Sequence, residues 1–167
     1  LTAAISSSER NLAIGERQLS LPAVAVPLAK EQLGDLHGRE VVIVGTGETS
    51  ELAARALADS GVAPVFVATR RRDRAISLAR QFSGRSVSFD ELPQELERAE
   101  ILVTATSSPH YLLEARELAD VVSQRSGRPL LLLDLAVPRD IDAACAEIGG
   151  VSLYDIDDLQ AVIARNR

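Results

Sequence analysis

Residues 41–61 read VVIVGTGETSELAARALADSG. A β-branched run, Val41-Val42-Ile43-Val44, meets two glycines, a threonine and a serine before helical spacing begins. Apolar runs without polar alternation are buried on both faces of a parallel sheet. After the loop, Leu52, Ala53, Ala56 and Leu57 recur at helical spacing as far as Gly61. A plain turn needs fewer special residues than Gly45-Thr46-Gly47-Glu48-Thr49-Ser50. The loop therefore reads as a place where something approaches the backbone.

The same alternation repeats along the chain. Val65–Ala68 is a second strand, followed by a helix through Ala75, Leu78, Ala79 and Phe82. Ser86–Phe89 is a brief third strand, and Asp90 is expected to cap a short helix carrying Leu92, Pro93 and Leu96. Ile101–Ala105 is a fourth strand, with a helix expected at about 111–125. Leu130–Asp134 is a fifth. Val137–Asp140 then turns into a short helix holding Cys145, Val151–Tyr154 is a sixth strand, and Asp155-Ile156-Asp157-Asp158 opens a last helix. Upstream, residues 21–34 read as a helix with Val24, Leu28 and Leu33 facing inward, and residues 1–20 as a linker. The expected fold is α/β, a doubly wound six-stranded parallel sheet of the Rossmann type in the order 3-2-1-4-5-6.

Composition narrows the function. The chain has 167 residues, enough for one domain with a full core. No apolar run is long enough to span a bilayer and no signal pattern opens the chain, so a cytoplasmic location without membrane attachment is expected. A net charge of −6 argues against bulk attraction to nucleic acid. A single cysteine excludes an internal disulfide and a Cys-rich metal site, and Ala143-Ala144-Cys145-Ala146 places it in a small buried setting. The absence of methionine gives the expectation that the chain is a piece of a longer protein.

The loop after the first strand matches G-x-G-x-x-G with Ser50 in place of the third glycine. In that pattern the first glycine makes the tight turn, the second lets a pyrophosphate reach the backbone, and the third lets helix and strand pack closely. The phosphates rest on free N–H groups at the helix start. The end of the second strand then selects the dinucleotide. An acidic residue there favours NAD, whereas this chain reads Thr69-Arg70-Arg71-Arg72-Asp73-Arg74. Arginine forks suit a 2′-phosphate, so NADPH is the expected cofactor. Arg70 and Arg71 are the expected contacts, with Arg72 and Arg74 free to face water. The plainer alternative is a solvated basic helix start.

Two loops reach the nicotinamide end: Thr106-Ser107-Ser108-Pro109-His110 and Ala136-Val137-Pro138-Arg139-Asp140. Ser108 or His110, and Asp140, are equally suited to capping the helices that follow. His37 reads as a surface residue. No nucleophile is paired with a base, so no catalytic or metal-ligating residue is assigned.

Taken in order, several segments resemble the NADPH-binding domain of glutamyl-tRNA reductases. They are Ala13-Ile14-Gly15, Leu19-Ser20 with Ala23–Val26, the glycine loop, the basic turn, and Thr104-Ala105-Thr106 with Pro109-His110. Asp134-Leu135-Ala136-Val137-Pro138-Arg139-Asp140-Ile141-Asp142 and Tyr154-Asp155-Ile156-Asp157-Asp158-Leu159 follow, and are the most specific. The resemblance implies that 1–20 links to a missing amino-terminal catalytic domain, that 21–156 binds NADP(H), and that 157–167 starts a helix toward a missing dimerisation domain. It implies cofactor contacts from Gly45, Thr46, Gly47, Glu48, Thr49, Ser50, Thr69, Arg70, Arg71, Thr106, Ser107 and Ala136. It further implies glutamyl-tRNA as substrate, reduced through a cysteine thioester to glutamate-1-semialdehyde for tetrapyrrole synthesis. The thioester cysteine's motif is absent from this chain. A homodimer and the downstream aminomutase are the implied protein partners. The chain departs from the family where Thr69-Arg70-Arg71 stands for Asn-Arg-Thr and Thr49 for methionine. Two rivals remain: an oxidoreductase domain similar to shikimate dehydrogenase, and a non-catalytic NADP(H)-sensing domain.

Overall fold

The computed structural model describes residues 20–165. The expected linker, Ser20 apart, lies outside them, as do Ala13-Ile14-Gly15 and Leu19. Six parallel strands, β1 (Glu40–Val44), β2 (Ala63–Ala68), β3 (Arg85–Ser88), β4 (Ile101–Thr104), β5 (Leu130–Asp134) and β6 (Val151–Tyr154), lie in the order β3-β2-β1-β4-β5-β6. The expected order is borne out.

The unbroken apolar runs serve two cores. Val41, Ile43, Phe66, Ile101, Val103, Leu131 and Leu133 point to one face. Their neighbours Val42, Val44, Val65, Val67, Leu102, Leu130 and Leu132 point to the other. Because strand side chains alternate, both sets must be apolar when both faces are covered. Helices α1 (Ala25–Leu33), α2 (Glu48–Asp59), α3 (Arg72–Gln81) and α6 (Ile156–Arg165) cover the first face. Helices α4 (Leu92–Arg98) and α5 (Ala115–Ser123), with a 3-10 turn holding Cys145, cover the second. The chain changes face between β3 and β4, so the β1 and β4 loops diverge at their carboxyl ends. That divergence makes the crevice described below.

Three local expectations are corrected. The helix expected from 111 starts only at Ala115, because Leu113 pairs with Ile141 in an isolated parallel bridge and Leu112 donates its N–H to the Asp140 carbonyl at 2.6 Å. Its first turn is closed by Glu117, which accepts the Glu114 N–H at 3.2 Å, so neither Ser108 nor His110 caps it. Asp90 does not cap the short helix: it lies inside the 3-10 turn Phe89–Glu91, whose start is closed by the Ser88 N–H donating to Glu91 at 3.2 Å. The last helix begins as expected, with Asp155 and Asp158 exchanging backbone N–H bonds at 3.0 and 2.9 Å.

One buried cation went unread in the sequence. Arg125, just past α5, is 1% exposed and donates to the carbonyls of Leu96 and Ala99 at 2.6 and 2.5 Å and of Pro129 at 2.6 Å. Two of these acceptors sit at the carboxyl end of α4, where free carbonyls and the helix dipole favour a cation. Burial lowers the guanidinium's pKa, and the neighbouring Arg128 lowers it further. Arg125 thus ties α4 to the entry of β5. Arg125→Met is expected to leave these carbonyls unpaired and cost about 3 kcal/mol. Urea denaturation checks this, and a loss under about 1 kcal/mol would contradict it.

Candidate functional site

The site forms where β1 and β4 part. Gly45 carries φ +123°, and a Cβ there would lie 2.8 Å from the Ala105 carbonyl and 2.9 Å from Ser50 Oγ. Both the conformation and the space therefore demand glycine. Gly47 differs: its φ of −86° suits any residue, and nothing lies within 4 Å of the position its Cβ would take. No protein atom explains why it lacks a side chain. The space in front of it is open.

Gly47 is also the residue before α2, so its loop leads directly into the unpaired N–H groups of the helix's first turn. The cleft, about 470 Å³, is lined on this side by Gly45, Thr46 and Gly47. The end of β2 supplies Thr69, Arg70 and Arg71, and the β4 loop supplies Ala105 through Ser108 with Leu112. Most of the residues expected from sequence are thus brought to one crevice.

Four are not on its wall. Glu48 is exposed in the first turn of α2, and Thr49 is half-buried there. Ser50 is fully buried beneath the loop; its hydroxyl has no partner among the described residues and packs against Gly45. Its small size is what the loop uses. Ala136 is buried, and its N–H donates to Asp134 at 3.1 Å.

The arginines divide their tasks. The guanidinium of Arg70, in the cleft wall, makes no hydrogen bond or ion pair among the described residues. Arg71 presents its Nε and Nη2 to Asp73 at 3.2 and 3.0 Å. Arg74, read as free to face water, instead donates to the Thr46 carbonyl at 3.3 Å and lies 3.5 Å from Glu51. It ties α3 to the glycine loop. Arg70 thus leaves a positive charge in the cleft wall unpaired among the described residues.

The β5 side is held by carboxylates. Asp134, 1% exposed, accepts from Thr104 Oγ1 at 3.3 Å and from the N–H groups of Asp140 and Ile141 at 3.0 and 2.9 Å. Burial raises its pKa above the usual carboxylate range, the N–H bonds from Ile141 and Ala136 pull against this, and nearby Asp140 adds to the rise. Asp140 does not cap the turn carrying Cys145. Asp142 does, accepting the Ala144 N–H at 3.1 Å. Arg139 forms an ion pair with Asp155, linking the β5 loop to the start of α6. The two most specific sequence segments are therefore structural ties at the edge of the cleft.

Cys145 is fully buried, and burial followed by the charges of Asp142 and Glu117 pushes its thiol up to about 11. A thiol so placed is no nucleophile at neutral pH. Native protein at pH 8 is expected to leave a thiol-specific chromogenic disulfide unreacted, while unfolded protein reacts at once. Rapid reaction of the native form would contradict this. Among the described residues, no helix is long and apolar enough to cross a membrane.

Comparison with known proteins agrees with this fold. A family model described as shikimate / quinate 5-dehydrogenase matches residues 27–162. The chain is 48% identical over 153 residues to a glutamyl-tRNA reductase of Rubrobacter xylanophilus, covering 92% of this chain and 35% of that protein. It is 45% identical to one from Desulforudis audaxviator, covering 92% and 34%. The solved glutamyl-tRNA reductase of Methanopyrus kandleri superposes with a TM-score of 0.82 at 36% identity, over 90% of this chain and 38% of that one. The chain spans about a third of the length of the curated relatives it matches. The resemblance read from the sequence is borne out, and the fold with its homology supports a nucleotide-cofactor site.

Proposed function

Because the chain belongs to the family described as shikimate / quinate 5-dehydrogenase, and matches glutamyl-tRNA reductases over nearly its whole length, we propose that it holds NADPH for a glutamyl-tRNA reductase. The observation that carries the proposal is Gly47, a bare backbone position with no structural need for glycine, at the amino end of α2. The pyrophosphate would rest on the N–H groups there, favoured by the helix dipole. Arg70 would bind the 2′-phosphate with its free fork, and Thr69 and Arg71 would flank it. Ser107 would meet the nicotinamide ribose, and Ala136 would lie behind the nicotinamide. Glu48 and Thr49 would offer the N–H groups of the first turn of α2, and Ser50 would support the loop from below. Bound NADPH supplies the reducing equivalents. This chain's residues bind it, orient it and hold the two loops that flank its reactive end.

The whole protein would reduce glutamyl-tRNA, held as a thioester on a cysteine outside this chain, to glutamate-1-semialdehyde. It would act as a homodimer and deliver its product to the next enzyme. Residues 1–20 would be a linker, and 157–167 the start of a helix toward the dimer-forming part. The shikimate-type rival shares the family model, but the 45–48% identity with these glutamyl-tRNA reductases favours the reductase.

Calorimetric titration tests the cofactor assignment. NADPH should bind at least tenfold more tightly than NADH, and Arg70→Ala should remove most of that difference, about 1.4 kcal/mol or more. Equal affinities in the unaltered protein would contradict the assignment.

A further inference from the structure

We propose that Asp140 is a positioning residue for the reactive end of the cofactor: through one buried carboxylate it fixes the β4 loop so that Ser107 faces the ligand. The proposal rests on the reading of the cleft as a dinucleotide site and names the device that shapes its second half.

Asp140 is fully buried. Its carboxylate accepts both the N–H of Thr106, at 2.9 Å, and the hydroxyl of Thr106, at 2.6 Å. The same hydroxyl oxygen accepts the N–H of Ser108 at 3.2 Å. The Thr106 side chain is therefore committed in both directions, as donor and as acceptor. It is scaffold, although it lines the cleft and reads in sequence as a ligand contact. Ser107, between two residues held in this way, is left exposed in the cleft wall with its hydroxyl unengaged among the described residues.

The backbone of Asp140 is used as fully as its side chain. Its N–H donates to Asp134 at 3.0 Å, and its carbonyl accepts the N–H of Leu112 at 2.6 Å. One residue thus joins the end of β5, the loop after β4 and the segment leading to α5. No lysine or arginine forms an ion pair with this carboxylate among the described residues. Burying an unpaired carboxylate is costly, and a loop that only needed closing could be held by neutral groups. The geometry it enforces accounts for its presence: two strong, charge-assisted bonds give the β4 loop a single conformation.

The test separates the two ends of the cofactor. The probes are NADPH and 2′,5′-ADP, which carries only the adenosine half with its 2′-phosphate. Asp140→Asn should weaken NADPH about tenfold while leaving 2′,5′-ADP within about twofold. Thr106→Val deletes the hydroxyl donor without burying a new polar group. It should show the same one-sided loss, and it carries the test if Asp140→Asn fails to fold. Equal losses for both probes, or none for either, would overturn the role of Asp140 while leaving the cofactor reading intact. Unaltered protein that binds neither probe would overturn the cofactor reading, and the role of Asp140 with it.

Discussion

The contact on which the structure turns is that between Gly45 and the Ala105 carbonyl. The two strands at the centre of the sheet, β1 and β4, send their chains to opposite faces, and at the point of parting the backbones nearly touch. A Cβ would sit 2.8 Å from the carbonyl oxygen, well inside any tolerated approach. With glycine there, the loop folds tightly over β4 and turns α2 so that its amino end looks into the crevice. The small buried Ser50 completes the arrangement by giving the loop room to lie flat. The placement of free N–H groups, arginine and cleft wall follows from this packing.

The rest of the edge is stiffened by polar ties, each joining one element of the edge to its neighbour. Arg74 ties α3 to the glycine loop, Asp134 and Asp140 tie β5 to β4, and Arg139 ties the β5 loop to α6. A binding crevice made of loops needs such ties, since loops have few apolar contacts with which to hold themselves. Arg125 serves the same end on the far side, closing α4 against β5 with three carbonyl bonds.

The sheet was legible because both of its faces are buried, which leaves unbroken apolar runs no other reading. The glycine loop was legible because two glycines so close between a strand and a helix exceed what local packing requires: Gly45 is sterically demanded and Gly47 is not. What escaped the sequence depended on partners distant along the chain. Periodicity extends α5 back to 111, but the pairing of Leu113 with Ile141 straightens that segment. Arg74 looks like any solvated arginine until α3 places it beside Thr46. Arg125 stands in a polar stretch, Ser123-Gln124-Arg125-Ser126, whose composition gives no hint of burial. Asp140 and Asp142 suit the capping role equally well by residue type. Only the fold reserves Asp140 for Thr106.

The most direct measurement is the effect of Gly47→Ala on stability and on NADPH affinity, made on the same preparation. If the bare backbone exists for a ligand, the substitution meets open space and an ordinary φ. The loss of an N-cap glycine and the gain in chain stiffness oppose each other, so stability should change by no more than about 1 kcal/mol either way, while affinity for NADPH falls at least tenfold. Undiminished binding of NADPH would mean that nothing approaches the chain at Gly47, and the account of the cleft would be wrong.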